Sequence, residues 1–254
     1  MLINNYKELC KIVKKDGLLL KNASEKLKDN YDIVLIAVKQ NCWALEYASD
    51  RLKNDNTIVM IAITQNGATL LYASNRLKNN KESVLTAIIQ NGGALQYASN
   101  RLKNNYNIVL IAVGKNGWAL SFASTKLRDD YKIVLNAVTQ TGYALKFASD
   151  RLKDDIKIVS MSIIQNGEIL KYASDRLKDN NEIVLESIKV NETSLIYASD
   201  RLKNDSQIIV TALKQQKSTL NFISNKLKDD MQFILNASIK NKDLFKILQN
   251  KNIL

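Results

Sequence analysis

The chain has 254 residues, a formal charge of +12, 46% hydrophobic residues, no His and no Pro. That hydrophobic content excludes a disordered chain, and the absence of Pro favours uninterrupted helix. The absence of His removes the usual acid–base side chain and leaves Cys10 and Cys42 without partners for a zinc site.

The first fifteen residues carry Lys7, Glu8, Lys11, Lys14 and Lys15 and lack the apolar core of a Sec signal. No apolar run approaches the ~18–20 residues of a membrane span. The two cysteines form no CxxC motif, so a reducing compartment is the simpler expectation than a disulfide. The basic balance by itself points to nucleic acid, an anionic membrane or an acidic protein. Richness in Lys, Asn and Ile is also what AT-rich codons give, which weakens that pointer.

An internal period organises everything else. Tyr47-Ala48-Ser49 recurs every 25 residues as Tyr72-Ala73-Ser74, Tyr97-Ala98-Ser99, Phe122-Ala123-Ser124, Phe147-Ala148-Ser149, Tyr172-Ala173-Ser174 and Tyr197-Ala198-Ser199. The reading is a single repeat domain over 1–254, with an N-terminal unit 1–29, eight regular units over 30–229 and a C-terminal partial unit 230–254.

Each regular unit begins at two adjacent Asx residues, such as Asn54-Asp55 or Asn104-Asn105, whose side chains suit the orphan amides of a helix start. The apolar run that follows also fits a leucine-rich-repeat strand. Its columns reject that reading. The Ile61 position becomes Thr86, Asn136 and Glu186 in other units, whereas a strand of that kind would bury it. Steady columns at Val109, Leu110, Ala112 and Val113 define one face of a helix of about ten residues.

The helix is expected to close at Asn66-Gly67 and its equivalents, with Gly as a left-handed cap. Cys42, Glu192, Lys217 and Lys242 replace that Gly and would there carry strain. A shorter helical stretch follows, exemplified by Trp118 to Phe122. The Ser column then caps one more turn, such as Asp150-Arg151-Leu152-Lys153. A unit this small buries its apolar face only by stacking on its neighbours. The fold class is therefore all-α, an α-solenoid of about ten units.

The pattern Asn116-Gly117-Trp118-Ala119-Leu120 through Phe122-Ala123-Ser124 resembles the repeat family called domain of unknown function 4116. A family domain there corresponds to about two of these units. The resemblance transfers no activity and no catalytic residues. It implies a setting in intracellular microbes or large viruses of protists, hence the cytoplasm or a host-cell interior.

Two sets of side chains are candidate binding sites. The positions that vary between units carry Tyr31, Trp43, Tyr106, Trp118, Tyr131 and Tyr143, residue types enriched in protein-binding hot spots. The basic column carries Arg51, Arg76, Arg101, Arg151, Arg176 and Arg201, with a second basic residue two positions on. That column reads either as a ladder for a phosphate backbone or as ion pairs with adjacent acids and the capping acids of the next units. The aromatic column from Tyr47 to Phe222 reads as core. No nucleophile motif, P-loop or dinucleotide fingerprint is present, and no cofactor or metal is implied. The expectation is a monomeric, non-enzymatic scaffold binding a protein, with nucleic acid or an anionic surface as the alternative.

Overall fold

A computed structural model describes residues 2–215; two compact units, Met1–Gln140 and Thr141–Leu254, make up the chain. Within each, the 25-residue repeat folds as three helical segments. In the repeat starting at Asn56 these are a long α-helix Asn56–Gln65, a 3-10 helix Gly67–Tyr72 and a single α-turn Asn75–Lys78. The long helix is ten residues in most repeats, and eight (Ile156–Ile163) in one. The all-α repeat architecture read from the sequence is the one observed.

The buried stripe of the long helix is Ile108, Val109, Ala112 and Val113, and Ile58, Val59, Ala62 and Ile63 one pair of repeats earlier. This is the i, i+1, i+4, i+5 face expected at 100° per residue. It differs from the sequence reading by one residue, because Ile108 is buried and Leu110 only half-buried. Leu70, Leu77, Leu95 and Leu102 complete the core from the 3-10 helix and the short turn. The variable Ile61 column lies half-buried or exposed, as a helix requires.

The two Asx residues divide the labour. The second one caps: the side-chain oxygens of Asp55, Asn80, Asn105 and Asp155 accept from the amides of Ile58, Ser83, Ile108 and Ile158 at 2.9–3.1 Å. The first one does not cap the long helix. It ends the short turn of its own repeat and faces the following repeat.

The Asn before each Gly has extended backbone, with φ −150° at Asn66 and −151° at Asn91. Its side chain accepts from the amide two residues on, Ala68 N at 2.9 Å and Gly93 N at 2.9 Å, and so caps the 3-10 helix. The glycine itself is the first residue of that 3-10 helix and is not left-handed, which corrects the sequence reading. Contact rather than backbone conformation favours Gly in the repeats that carry it. A Cβ on Gly67 would lie 2.1 Å from Ala87 O in the next repeat, on Gly17 2.3 Å from Ala37 O, and on Gly167 2.1 Å from Ser187 O. The strain expected at Cys42 and Glu192 loses its basis, since both begin 3-10 helices of the same kind. Lys217 and Lys242 lie outside the described residues.

Neighbouring repeats are also joined through backbone. Ser74 N donates to Lys53 O at 2.9 Å, Ser99 N to Lys78 O at 2.9 Å and Ser199 N to Lys178 O at 2.9 Å. At the first repeat Ile3 takes the place of the missing lysine, with Ser24 N donating to Ile3 O at 3.0 Å. A column of Gln at the end of the long helix adds another tie. Gln40 Oε1 accepts from Gly17 N at 2.6 Å and Gln165 Oε1 from Gly142 N at 2.6 Å, each reaching back to the preceding repeat.

Two glycines separate contact from propensity. Gly67→Ala forces a carbon against backbone and should destabilise the protein by about 1–3 kcal/mol. Gly114→Ala lies inside the long helix Tyr106–Lys115, where a Cβ would meet only Asn136 Oδ1 at 3.6 Å. That change should stabilise by about 0.5–1 kcal/mol. Thermal melts of the two variants should move in opposite directions.

Candidate functional site

The six candidate aromatics fall into two rows. Tyr31, Tyr106 and Tyr131 are the first residues of long helices, and Trp43, Trp118 and Tyr143 the second residues of 3-10 helices. A ten-residue helix separates the rows, about 15 Å of axis at 1.5 Å per residue, so they do not form one patch. Tyr31 and Tyr106 are 37% exposed, Trp43 36% and Trp118 45%. Tyr131 and Tyr143 are half-buried.

Tyr106 borders a shallow groove between two long helices, with Leu110, Lys132, Leu135, Asn136 and Thr139. Trp43 sets its ring edge-on to Tyr72 of the following repeat, centroids 6.1 Å apart, and Tyr143 does the same with Tyr172 at 6.2 Å. Tyr143 Oη also accepts from Asn166 Nδ2 at 3.1 Å. From Tyr47 to Tyr197 the aromatic-Ala-Ser column is therefore half-buried rather than core, with Tyr72 and Tyr172 serving as the floor on which the preceding repeat's variable side chain rests; Phe222 lies outside the described residues. Lys171 Nζ lies 5.1 Å from the Tyr172 centroid and 5.9 Å from that of Tyr197, a cation–π arrangement on the same row.

The arginine column is tied to the preceding repeat. Arg51 Nε donates to Asp29 Oδ1 at 3.0 Å, Arg101 Nε to Asn79 Oδ1 at 2.9 Å, Arg176 Nε to Asp154 Oδ1 at 2.9 Å and Arg201 Nε to Asp179 Oδ1 at 3.0 Å. The Nη2 of each donates to the backbone oxygen of the same residue at 2.6–2.7 Å. Arg76 makes the same fork on Asn54. Arg151 holds the same place in its turn, Asp150–Lys153.

The serine of the aromatic-Ala-Ser motif converges on the same acceptor. Ser74 Oγ donates to Asn54 Oδ1 and Ser99 Oγ to Asn79 Oδ1, both at 2.6 Å, while each also accepts from its own helix start at Leu77 N or Leu102 N at 3.4 Å. Ser49, Ser174 and Ser199 bond Asp29, Asp154 and Asp179 in the same way. The partner is thus the first Asx of the preceding repeat, neither the neighbouring acid nor the next unit's cap. Asp150 and Asp175 pair with the other basic residue, Lys153 and Lys178, at 3.5 Å. The guanidinium groups stay open to solvent, with side-chain exposure of 57–63% at Arg51, Arg176 and Arg201.

Cys10 and Cys42 are free thiols. Among the described residues no cluster of His, Cys, Asp and Glu could hold a metal ion, and no helix is long and apolar enough to cross a membrane.

The 25-residue step, the Asn-Gly turn and the aromatic-Ala-Ser motif are now seen as one stacked unit. Family-model matches to it tile the chain over residues 7–53, 32–78, 55–100, 80–128, 130–178 and 180–228. The chain belongs to the family described as Domain of unknown function (DUF4116). Each DUF4116 match spans about two repeats, and those over 7–53, 32–78 and 130–178 each contain one full Ser–Asx–Arg junction. No curated protein and no solved structure matches the chain.

The junction has a measurable signature. Hydrogen bonds from Ser174, then from Arg176, hold the Asp154 carboxyl below the usual aspartate range; Ser199 and Arg201 do the same to Asp179. A depressed pKa stabilises the fold above the unfolded value, ~3.9, and that contribution is lost as pH falls through the folded value. Carboxyl NMR should therefore show Asp154 titrating low in the wild type. Ser174→Ala should raise that pKa toward the ordinary value and, by removing the cap on Leu177 N, lower stability by about 1 kcal/mol.

Proposed function

We propose that this DUF4116 protein is a non-enzymatic scaffold that binds another protein through side chains that differ between repeats. One observation carries the reading. Large aromatic side chains, Trp43 and Trp118 above all, remain substantially exposed at positions where neighbouring repeats have Ala68 or Gly93. Stacking proceeds with either kind of residue there, so packing does not require the Trp. Exposed Trp and Tyr on a rigid backbone supply large contact area at low entropic cost, as in binding hot spots.

The shallowness of the surface supports the same reading, since small-molecule sites are enclosed and mostly apolar. The grooves beside Tyr106 and beside Tyr172 are open. A setting in the cytoplasm or inside a host cell, and action as a monomer, belong to this proposal.

The test is capture from nuclease-treated lysate with wild-type protein and with a Trp43→Ala/Trp118→Ala double variant, partners being identified by mass spectrometry. The expected outcome is at least one protein retained by the wild type and lost from the variant, with both giving the same helical circular dichroism and melting temperature. Recovery of the same proteins by both would overturn the reading.

A further inference from the structure

The basic columns run through every repeat, but their neutralising acids do not. Between Asp55 and Asp129 the chain contains one acid, Glu82, against eight bases. Two positions normally supply the acids. One is the first Asx of the preceding repeat, which takes the arginine fork. The other is the first residue of the short turn, which pairs with the second base. In two repeats of the second compact unit both are Asp: Asp154 and Asp175 attend Arg176 and Lys178, and Asp179 and Asp200 attend Arg201 and Lys203. Across three consecutive repeats of the first unit the same six positions are neutral, Asn54 and Asn75, Asn79 and Asn100, and Asn104 and Thr125.

The geometry does not change with the charge. Arg76 Nε lies 2.8 Å from Asn54 Oδ1 and Arg101 Nε 2.9 Å from Asn79 Oδ1, matching 2.9 Å to Asp154 in the acidic version. Stacking therefore uses the oxygen and not the negative charge. Arg76 and Arg101 are thus held with no carboxylate in the junction; Arg76, Arg101 and Lys126 are exposed, while Lys78, Lys103 and Arg128 are half-buried. Among the described residues, Lys78 and Lys103 enter no ion pair, whereas Lys153, Lys178 and Lys203 do. Burial lowers the pKa of Lys78, with no acid opposing it. Arg128 Nε, in the same column, is buried without a hydrogen-bond acceptor.

We infer that Arg76, Lys78, Arg101, Lys103, Lys126 and Arg128 form a docking surface for an extended acidic segment of a protein partner. Charge complementarity sets the sign of the occupant. Spacing selects its class. Stacked helices place successive repeats ~8–10 Å apart, and a polyproline-type strand advances ~9 Å in each turn of three residues. One carboxylate in three then meets each repeat, and a pre-held guanidinium takes a carboxylate in two hydrogen bonds. A nucleic-acid strand in duplex form offers a phosphate every ~3.4 Å, about three for each repeat, and matches the ladder less well. The surface is distinct from the exposed tryptophans, so it stands or falls separately from the scaffold reading.

The probe is a fluorescent nonapeptide with Glu at every third position in a Pro-rich background, titrated by anisotropy at 150 mM salt against the full chain. Anionic arms of matched charge are single-stranded DNA, duplex DNA and phosphatidylserine vesicles. Asn75→Asp/Asn100→Asp/Thr125→Asp installs residues that other repeats already carry, so the fold should be kept. The peptide should bind the wild type and bind this variant at least tenfold more weakly. Trp43→Ala/Trp118→Ala should leave binding unchanged. No peptide binding, equal binding to the charge-filled variant, or tighter binding to DNA or vesicles than to peptide would each overturn the proposal. None of those results would bear on partner capture by the tryptophans.

Discussion

The close approach of one repeat's 3-10 helix to the next repeat's long helix is the constraint on which the rest depends. The carbonyl of Ala87 occupies the space in which Gly67 would carry a Cβ. At that distance a side chain on either partner costs contact, which is why one column is glycine-rich and the facing column is Ala or Ser. The approach fixes the register between repeats. With register fixed, Ser99 and Ser199, Arg101 and Arg201, and Gln40 and Gln165 find partners at the same places in different repeats.

The junction built on that register separates shape from charge. A single oxygen of the first Asx receives the Ser hydroxyl and the Arg Nε, and the adjacent carbonyl receives Nη2. An amide oxygen accepts these bonds as a carboxylate does, so Asp and Asn interchange without moving the cation. Exposed ion pairs add little to stability, which leaves the sign of the local field free to differ between stretches of the chain. The repeat is thus a rigid frame on which charge and aromatic area are set repeat by repeat, and the candidate surfaces are the places where those settings depart from the frame.

Several columns were legible in the sequence for reasons that concern only neighbours along the chain. The Ser that caps the short turn, the second Asx that caps the long helix and the ten-residue length between caps all follow from local hydrogen bonding. The six candidate aromatics were legible as variable positions, but their division into two rows was not, because it depends on the length of a helix lying between them. The Gln column escaped notice. Its 25-residue recurrence was the available signal, and a polar helix end reads locally as solvent-facing.

Composition and period by themselves determined an all-α chain of stacked 25-residue repeats, since a segment that buries no core alone has to bury it against its copies. Tertiary structure decided what the invariant polar and glycine columns are for. Gly67 reads locally as a left-handed cap and is instead a point of contact, and Arg101 reads as pairing nearby and instead reaches Asn79 in the preceding repeat. The physical reason is the same in both cases. The group that determines each residue lies about twenty positions away in sequence, and only the packed interface brings it within hydrogen-bonding or van der Waals distance.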